Sequence, residues 1–269
     1  MHTKGVFIIK KLILFTLLTI TALIFAACDT NSSEQAMEYL EKANIAMNDI
    51  DSMRITFTTE TSAPVIGTDL IIDTENVGTI EAVNTDTSFE GKVSFSQNLM
   101  GNDFEYSAFY RNGTVAITDL PEEMSAIGVG LKGTAQHETP LSLINIHLDF
   151  PQEAILDHER DVVDDGVQLT LSLDNETLLR TVNGQLNSED FTVDNLVEYD
   201  YQLIILLDED NLIQTIEVDI SFTYEIEEEE FDASMLTSLE VTQETGIDLE
   251  FPDNIDDFLD LGMISLPPF

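Results

Sequence analysis

One cysteine stands in 269 residues. No disulfide within the chain is possible, so the fold must hold by packing alone. Tryptophan is absent, and ten basic residues face 52 acidic ones, a formal net charge of −42. Such a chain repels a phosphate backbone, which excludes nucleic acid as a partner. Anionic lipid head groups repel it as well. Catalytic signatures are missing: there is no G-x-S-x-G, H-E-x-x-H, G-x-x-x-x-G-K or C-x-x-C. His137, His147 and His158 are scattered, and none sits at a ligand spacing from another. Carboxylates are so numerous that a pair suited to glycoside hydrolysis can be drawn anywhere and means nothing. Asp208-Glu209-Asp210-Asn211 lacks the glycine and closing glutamate of an EF-hand loop and reads as a turn. No enzyme, metal or cofactor is expected.

What is present begins at the N-terminus. Lys4, Lys10 and Lys11 precede an uncharged stretch from Leu12 to Ala27, and the single cysteine, Cys28, follows it. This is the three-part layout of a secretory signal. The apolar run is shorter than the roughly 20 residues a spanning helix needs. Phe25-Ala26-Ala27-Cys28 resembles the lipobox of bacterial lipoproteins, with Phe in place of the usual Leu. The resemblance implies cleavage before Cys28 and a diacylglyceryl thioether on its sulfur. Two acyl chains on one residue anchor stably where one is marginal. The expected organisation is a signal over 1–27, a lipidated tether over 28–33 and one domain over 34–269. The expected location is the extracytoplasmic face of the cell membrane, held through Cys28.

The remaining chain is rich in Phe, Ile, Leu and Val, unlike a disordered chain. A single all-β domain reaches this size. Two readings of the acidic excess stay open: a heavily solvated surface that reflects habitat, and a surface that binds cations.

Periodicity supplies the elements. Ser33 to Ile50 reads as a helix, with an N-cap serine and Glu38–Lys42 paired one turn apart. Alternation then predicts strands over Arg54–Thr61, Val65–Ile72, Val77–Val83 and Thr87–Ser96. Phe104–Tyr110 and Val115–Thr118 flank Arg111-Asn112-Gly113, a hairpin signal. Pro121 opens a helical pattern, Glu122–Leu131, and Leu141–Phe150 fits a short helix or a buried strand. Ile155–Val163 and Val167–Asp174 read as a hairpin, and Glu176–Leu186 as a helix capped by Asn175. Tyr199–Leu207 and Leu212–Ile226 are paired strands, the second near 50 Å long at about 3.3 Å per residue. Met235–Glu244 and Ile247–Phe251 complete the strands, and Asn254–Leu261 reads as a last helix.

The fold class is therefore α+β: a long, strongly curved antiparallel sheet with a few helices on its concave face. This order resembles the LolA/LppX group of bacterial lipoproteins, and more closely the lipoproteins of Gram-positive bacteria thought to share that fold. The features that carry it are the first helix leading into Arg54-Ile55-Thr56-Phe57, the Tyr110-Arg111-Asn112-Gly113 turn, the paired strands Tyr199–Ile226, and Asp248-Leu249-Glu250-Phe251-Pro252. The resemblance implies an unclosed β-barrel with helices plugging its concave face, and an apolar concavity that accepts acyl chains or lipidated protein. Candidate lining residues, taken from the apolar faces, are Phe89, Val93, Phe95, Leu169, Leu171, Val218, Phe222 and Tyr224. The expected function is non-enzymatic binding of a lipid or other hydrophobic ligand. The alternative is an envelope scaffold or sensor with a filled core, binding a protein partner through its acidic surface.

Overall fold

In a computed structural model of the protein, residues 33–64, 70–85, 89–99, 102–118, 130–135, 137, 139–144, 146, 148–164, 166–186, 195–226 and 229–263 are described. The signal, Cys28 and most of the tether lie outside them, as do residues 122–129 of the expected helix after Pro121. Every described element lies between Ser33 and Met263.

Among the described residues twelve strands form one sheet: β1 (Ser52–Pro64), β2 (Ile71–Asn84), β3 (Phe89–Leu99), β4 (Asn102–Arg111), β5 (Thr114–Thr118), β6 (Leu131–Thr134), β7 (Ile155–Val163), β8 (Gly166–Leu173), β9 (Leu196–Leu207), β10 (Ile213–Ile226), β11 (Glu229–Gln243) and β12 (Leu259–Met263). Their order is β12-β6-β5-β4-β3-β2-β1-β11-β10-β9-β8-β7, and the curved sheet does not close into a barrel. Among the described residues two α-helices accompany it, α1 (Ser33–Asn48) and α2 (Asn175–Leu186).

Most of the order follows from local pattern. Sequential strands pair as hairpins, and β1 meets β11 to join the two halves. Asn112 and Gly113 both take positive φ, 50° and 78°, which a two-residue turn matched to strand twist requires. In α1, Ala36, Leu40, Ala43 and Met47 recur at helical spacing and are all buried. The open edge β7 turns Asp157, Glu159 and Asp161 to solvent, charges that discourage pairing with another chain.

Several expectations are corrected. Of the expected strands Val65–Ile72 and Val77–Val83, residues 65–69 lie outside the described residues, and Ile71 and Ile72 belong to the same continuous strand as Val77–Val83, β2 from Ile71 to Asn84. The cap of α2 is Asp174, not Asn175: the Thr177 amide donates to its carboxylate at 2.9 Å. In β10 a register shift between Ile213 and Thr215 buries Ile213 in place of Leu212. That bulge absorbs the polar Gln214, which strict alternation would have faced inward. Leu141–Phe150 opens in a 3-10 turn over Pro140–Ile144, and its other described residues, 146 and 148–150, are irregular.

The C-terminal segment differs most. Ile247–Phe251 is not a strand, and Asn254–Leu261 is not a helix but a 3-10 turn followed by β12. β12 pairs with β6 in parallel, the one parallel pair among the described strands. The cause is Phe109, an apolar residue on the outer face of β4. Phe251, Ile255 and Phe258 fold over it and Ala116 to make a second, small core. Arg111 stacks on Phe251 at 4.1 Å, and the Lys132 ammonium donates to the Asp256 carbonyl at 3.1 Å.

Candidate functional site

Strand register sorts side chains into rows across the sheet, alternately inner and outer. One inner row runs Tyr106, Phe95, Gly78, Phe57, Leu239, Ile216, Ile205, Leu169 and Arg160. The next runs Phe104, Gln97, Asn76, Thr59, Thr237, Val218, Leu203, Leu171 and His158. Below it lie Thr74, Thr61, Met235, Ile220 and Tyr201, and then the pair Phe222–Tyr199.

Helix α1 crosses this face diagonally. At its start the Gln152 amide donates to Ser33 Oγ at 2.9 Å, beside β7. Further along, the Arg160 guanidinium of β7 stacks on Tyr39 at 5.2 Å. At its end Asn84 of β2 donates to the Ile50 carbonyl at 2.6 Å, with longer bonds to those of Met47 and Asn48. The 3-10 turn at Pro140–Ile144 sits over β3, where Leu143 presses on Gly91. It is held by His137, whose ring is 3.1 Å from the Ser142 carbonyl, and by the Tyr110 hydroxyl, which donates to the His137 carbonyl at 3.2 Å. Helix α2 shelters Tyr201, whose hydroxyl is 3.3 Å from Thr181 Oγ1. Burial pushes the Tyr201 phenol above its ordinary pKa, and the Thr181 bond and the nearby Arg180 partly oppose it.

The cover is therefore uneven. On β8–β10 the inner residues Leu169, Leu171, Leu173, Leu203, Ile205 and Ile220 are sealed. On β1–β4 the inner positions Thr61, Thr74, Gln97, Phe104 and Tyr106 are only half-buried. At the far end Phe222, Tyr199 and Phe231 are half-buried too, with Phe231 stacked on Tyr224 at 5.5 Å. The inner face thus has a sealed flank, a half-open flank and an aromatic end.

The expected lining residues divide along the same line. Phe89, Val93, Phe95, Leu169, Leu171 and Val218 are at most 5% exposed and share one core with α1. Phe222 and Tyr224 belong to the aromatic end, with ring centroids 5.7 Å apart. Cys28 lies outside the described residues.

Sequence reasoning missed the polar members of the inner face. Asn76, Thr59 and Thr237 stand side by side in one row and are buried, and the two threonine hydroxyls are 3.1 Å apart. Thr61 and Thr74 bond to each other in the row below. Tyr106 packs edge-on against Phe95, and burial raises its phenol well above the ordinary range. A signal did exist: Asn76 falls on an inward position of the β2 alternation, where Ile80 and Ala82 are apolar. Among the described residues no group of three His, Cys, Asp or Glu side chains could hold a metal ion. Among them, too, no helix is long and apolar enough to cross a membrane.

No known family matches the chain, and no curated protein matches it. Solved structures give only distant likenesses. A DUF1329 family protein from Desulfovibrio piger is 9% identical, over 81% of this chain and 96% of its own, at a TM-score of 0.31. A structure of lipid–protein interactions in lipovitellin is 9% identical over 75% of this chain and 26% of its own, at 0.35. The ywiB protein from Bacillus subtilis is 10% identical over 71% and 92%, at 0.21. Likenesses at such scores carry no argument about a ligand, whereas the uneven cover of the inner face does.

Proposed function

We propose that this protein is a membrane-anchored, extracytoplasmic lipoprotein of the LolA/LppX kind, held through Cys28. Its half-open inner face binds a lipid or other hydrophobic ligand, and it catalyses no reaction. The observation that carries this reading is the uneven cover: α1 and α2 seal the β8–β10 flank and leave Phe104, Tyr106, Tyr199, Phe222 and Phe231 half-buried on the inner side. A sheet face with a dry interior and accessible aromatics is the usual make-up of a ligand concavity. The acidic excess leaves lipidation as the attractive contact with an anionic bilayer.

The test is uptake of Nile red, a neutral dye whose emission shifts in apolar surroundings, by a chain beginning at Asp29. Saturable, blue-shifted emission that a long-chain alcohol displaces is the expected result. Emission unchanged from buffer would contradict the reading.

A second reading, a scaffold or sensor that binds a protein, draws on the outer face. There Glu60 and Glu75 stand side by side, with Asp219 close by across Leu236. Cross-linking in cells checks it, and recovery of no partner counts against it.

A further inference from the structure

Among the described residues, three of the inner rows carry a buried side-chain atom with no hydrogen-bond partner, His158 and Arg160 at the β7 edge and Asn76 in the middle of β2. The Asn76 side chain is 3% exposed, and its Oδ1 has no hydrogen-bond partner. A buried acceptor left unpaired costs free energy, and in a folded protein it needs an explanation. Its row neighbour Thr59 lies against Thr237, their hydroxyls 3.1 Å apart, and makes no hydrogen bond to the amide oxygen. Its other row neighbour, Gln97, and the adjoining Thr61, Thr74, Phe104 and Tyr106 are half-buried, so the amide stands at the inner margin of the half-open flank.

We infer that Asn76 Oδ1 accepts a hydrogen bond from the head group of an amphiphile bound on this flank. The inference rests on the ligand-binding reading above and names the ligand class. Among the described residues the inward neighbours of the amide are Gly, Thr, Gln, Phe and Tyr, with no cation among them. An anionic carboxylate has no counter-charge there and no proton to donate. The head group that fits is neutral and carries a donor: a hydroxyl, as in a long-chain alcohol or a monoacylglycerol, or an amide N–H. Its apolar tail extends over the inner face towards Phe222 and Tyr199, away from the carboxylates of the outer face.

Displacement of Nile red by dodecanol, dodecyl methyl ether and laurate tests this on the chain beginning at Asp29. Dodecanol and its ether share the tail and differ in the donor. Dodecanol is expected to displace the dye at about tenfold lower concentration than the ether, the ratio one net hydrogen bond supplies. Laurate competes no better than the ether. In Asn76→Leu the ratio falls to about one, while the melting temperature without ligand rises because no acceptor is left orphaned. Asn76→Ala has to lose the same ratio. Equal displacement by alcohol and ether, or a ratio that survives in either variant, overturns the inference and leaves the ligand-binding reading standing. A protein that binds neither dye nor competitor overturns that reading, and the inference with it.

Discussion

Gly78 offers the sharpest test of how the inner face is packed. It lies in β2 between Phe57 of β1 and Phe95 of β3, where the register places all three in one row. Gly78→Ala would put a methyl 2.6 Å from Phe57 Cζ, 2.7 Å from Phe95 Cβ and 2.7 Å from the Ser94 carbonyl. Ordinary carbon contacts are about 3.5–4.0 Å, so each neighbour must give by close to an ångström. The Phe57 ring can swing. Phe95 Cβ and the Ser94 carbonyl are fixed by the backbone of β3 and cannot. Overpacking of this kind costs about 1–3 kcal/mol. At roughly 2–4 °C per kcal/mol for a domain of this size, the melting temperature should fall by about 2–12 °C. Scanning calorimetry of the chain beginning at Asp29 reads this directly. Adding Phe57→Leu should recover only part of the loss, because the two backbone-fixed contacts remain. An unchanged melting temperature in Gly78→Ala would refute the register of β1, β2 and β3, and with it the placement of the inner rows.

Three further outcomes are expected. Tyr106 and Tyr201 have phenol pKa values raised by burial, so the folded state holds its protons more tightly than the unfolded chain. That contribution is complete below the unfolded phenol value of about 10 and is lost as pH rises above it. Urea midpoints should therefore fall with rising pH in that range, and Tyr106→Phe should lessen the slope; an identical slope would contradict the burial of Tyr106. Asp174→Ala removes the cap of α2 and should cost about 0.5–2 kcal/mol by urea denaturation, whereas Asn175→Ala should cost less. Cys28→Ser should escape lipidation and leave the membrane fraction; retention there would mean that the apolar run or a partner holds the domain.

Much of this fold was legible as local pattern. Period-2 alternation marks β3, β8 and β10, helical spacing marks α1, and Asn112-Gly113 marks its own turn. Each is set by residues within one element, so the sequence displays it directly. The polar row was hidden for the opposite reason. Thr59, Asn76 and Thr237 are far apart in sequence and adjoin only through the β1–β2 and β1–β11 registers. Each alone looks like an ordinary polar residue in a strand. The C-terminal segment misled for a related cause: Ile247 to Phe251 alternates like a strand, yet its Phe251 covers Phe109 on the outer face. That demand comes from β4, more than a hundred residues away. The aromatic end was half legible, since Phe222 and Tyr224 stand out in β10, while Tyr199 and Phe231 join them only by pairing.

The central claim is that the inner face carries a ligand. Native mass spectrometry of the chain beginning at Asp29, purified from cells without detergent, measures this most directly. The account predicts a fraction of the protein with added mass that is released by organic extraction and identified as a neutral amphiphile. A single ligand-free mass, unchanged after incubation with dodecanol or a monoacylglycerol, would contradict it.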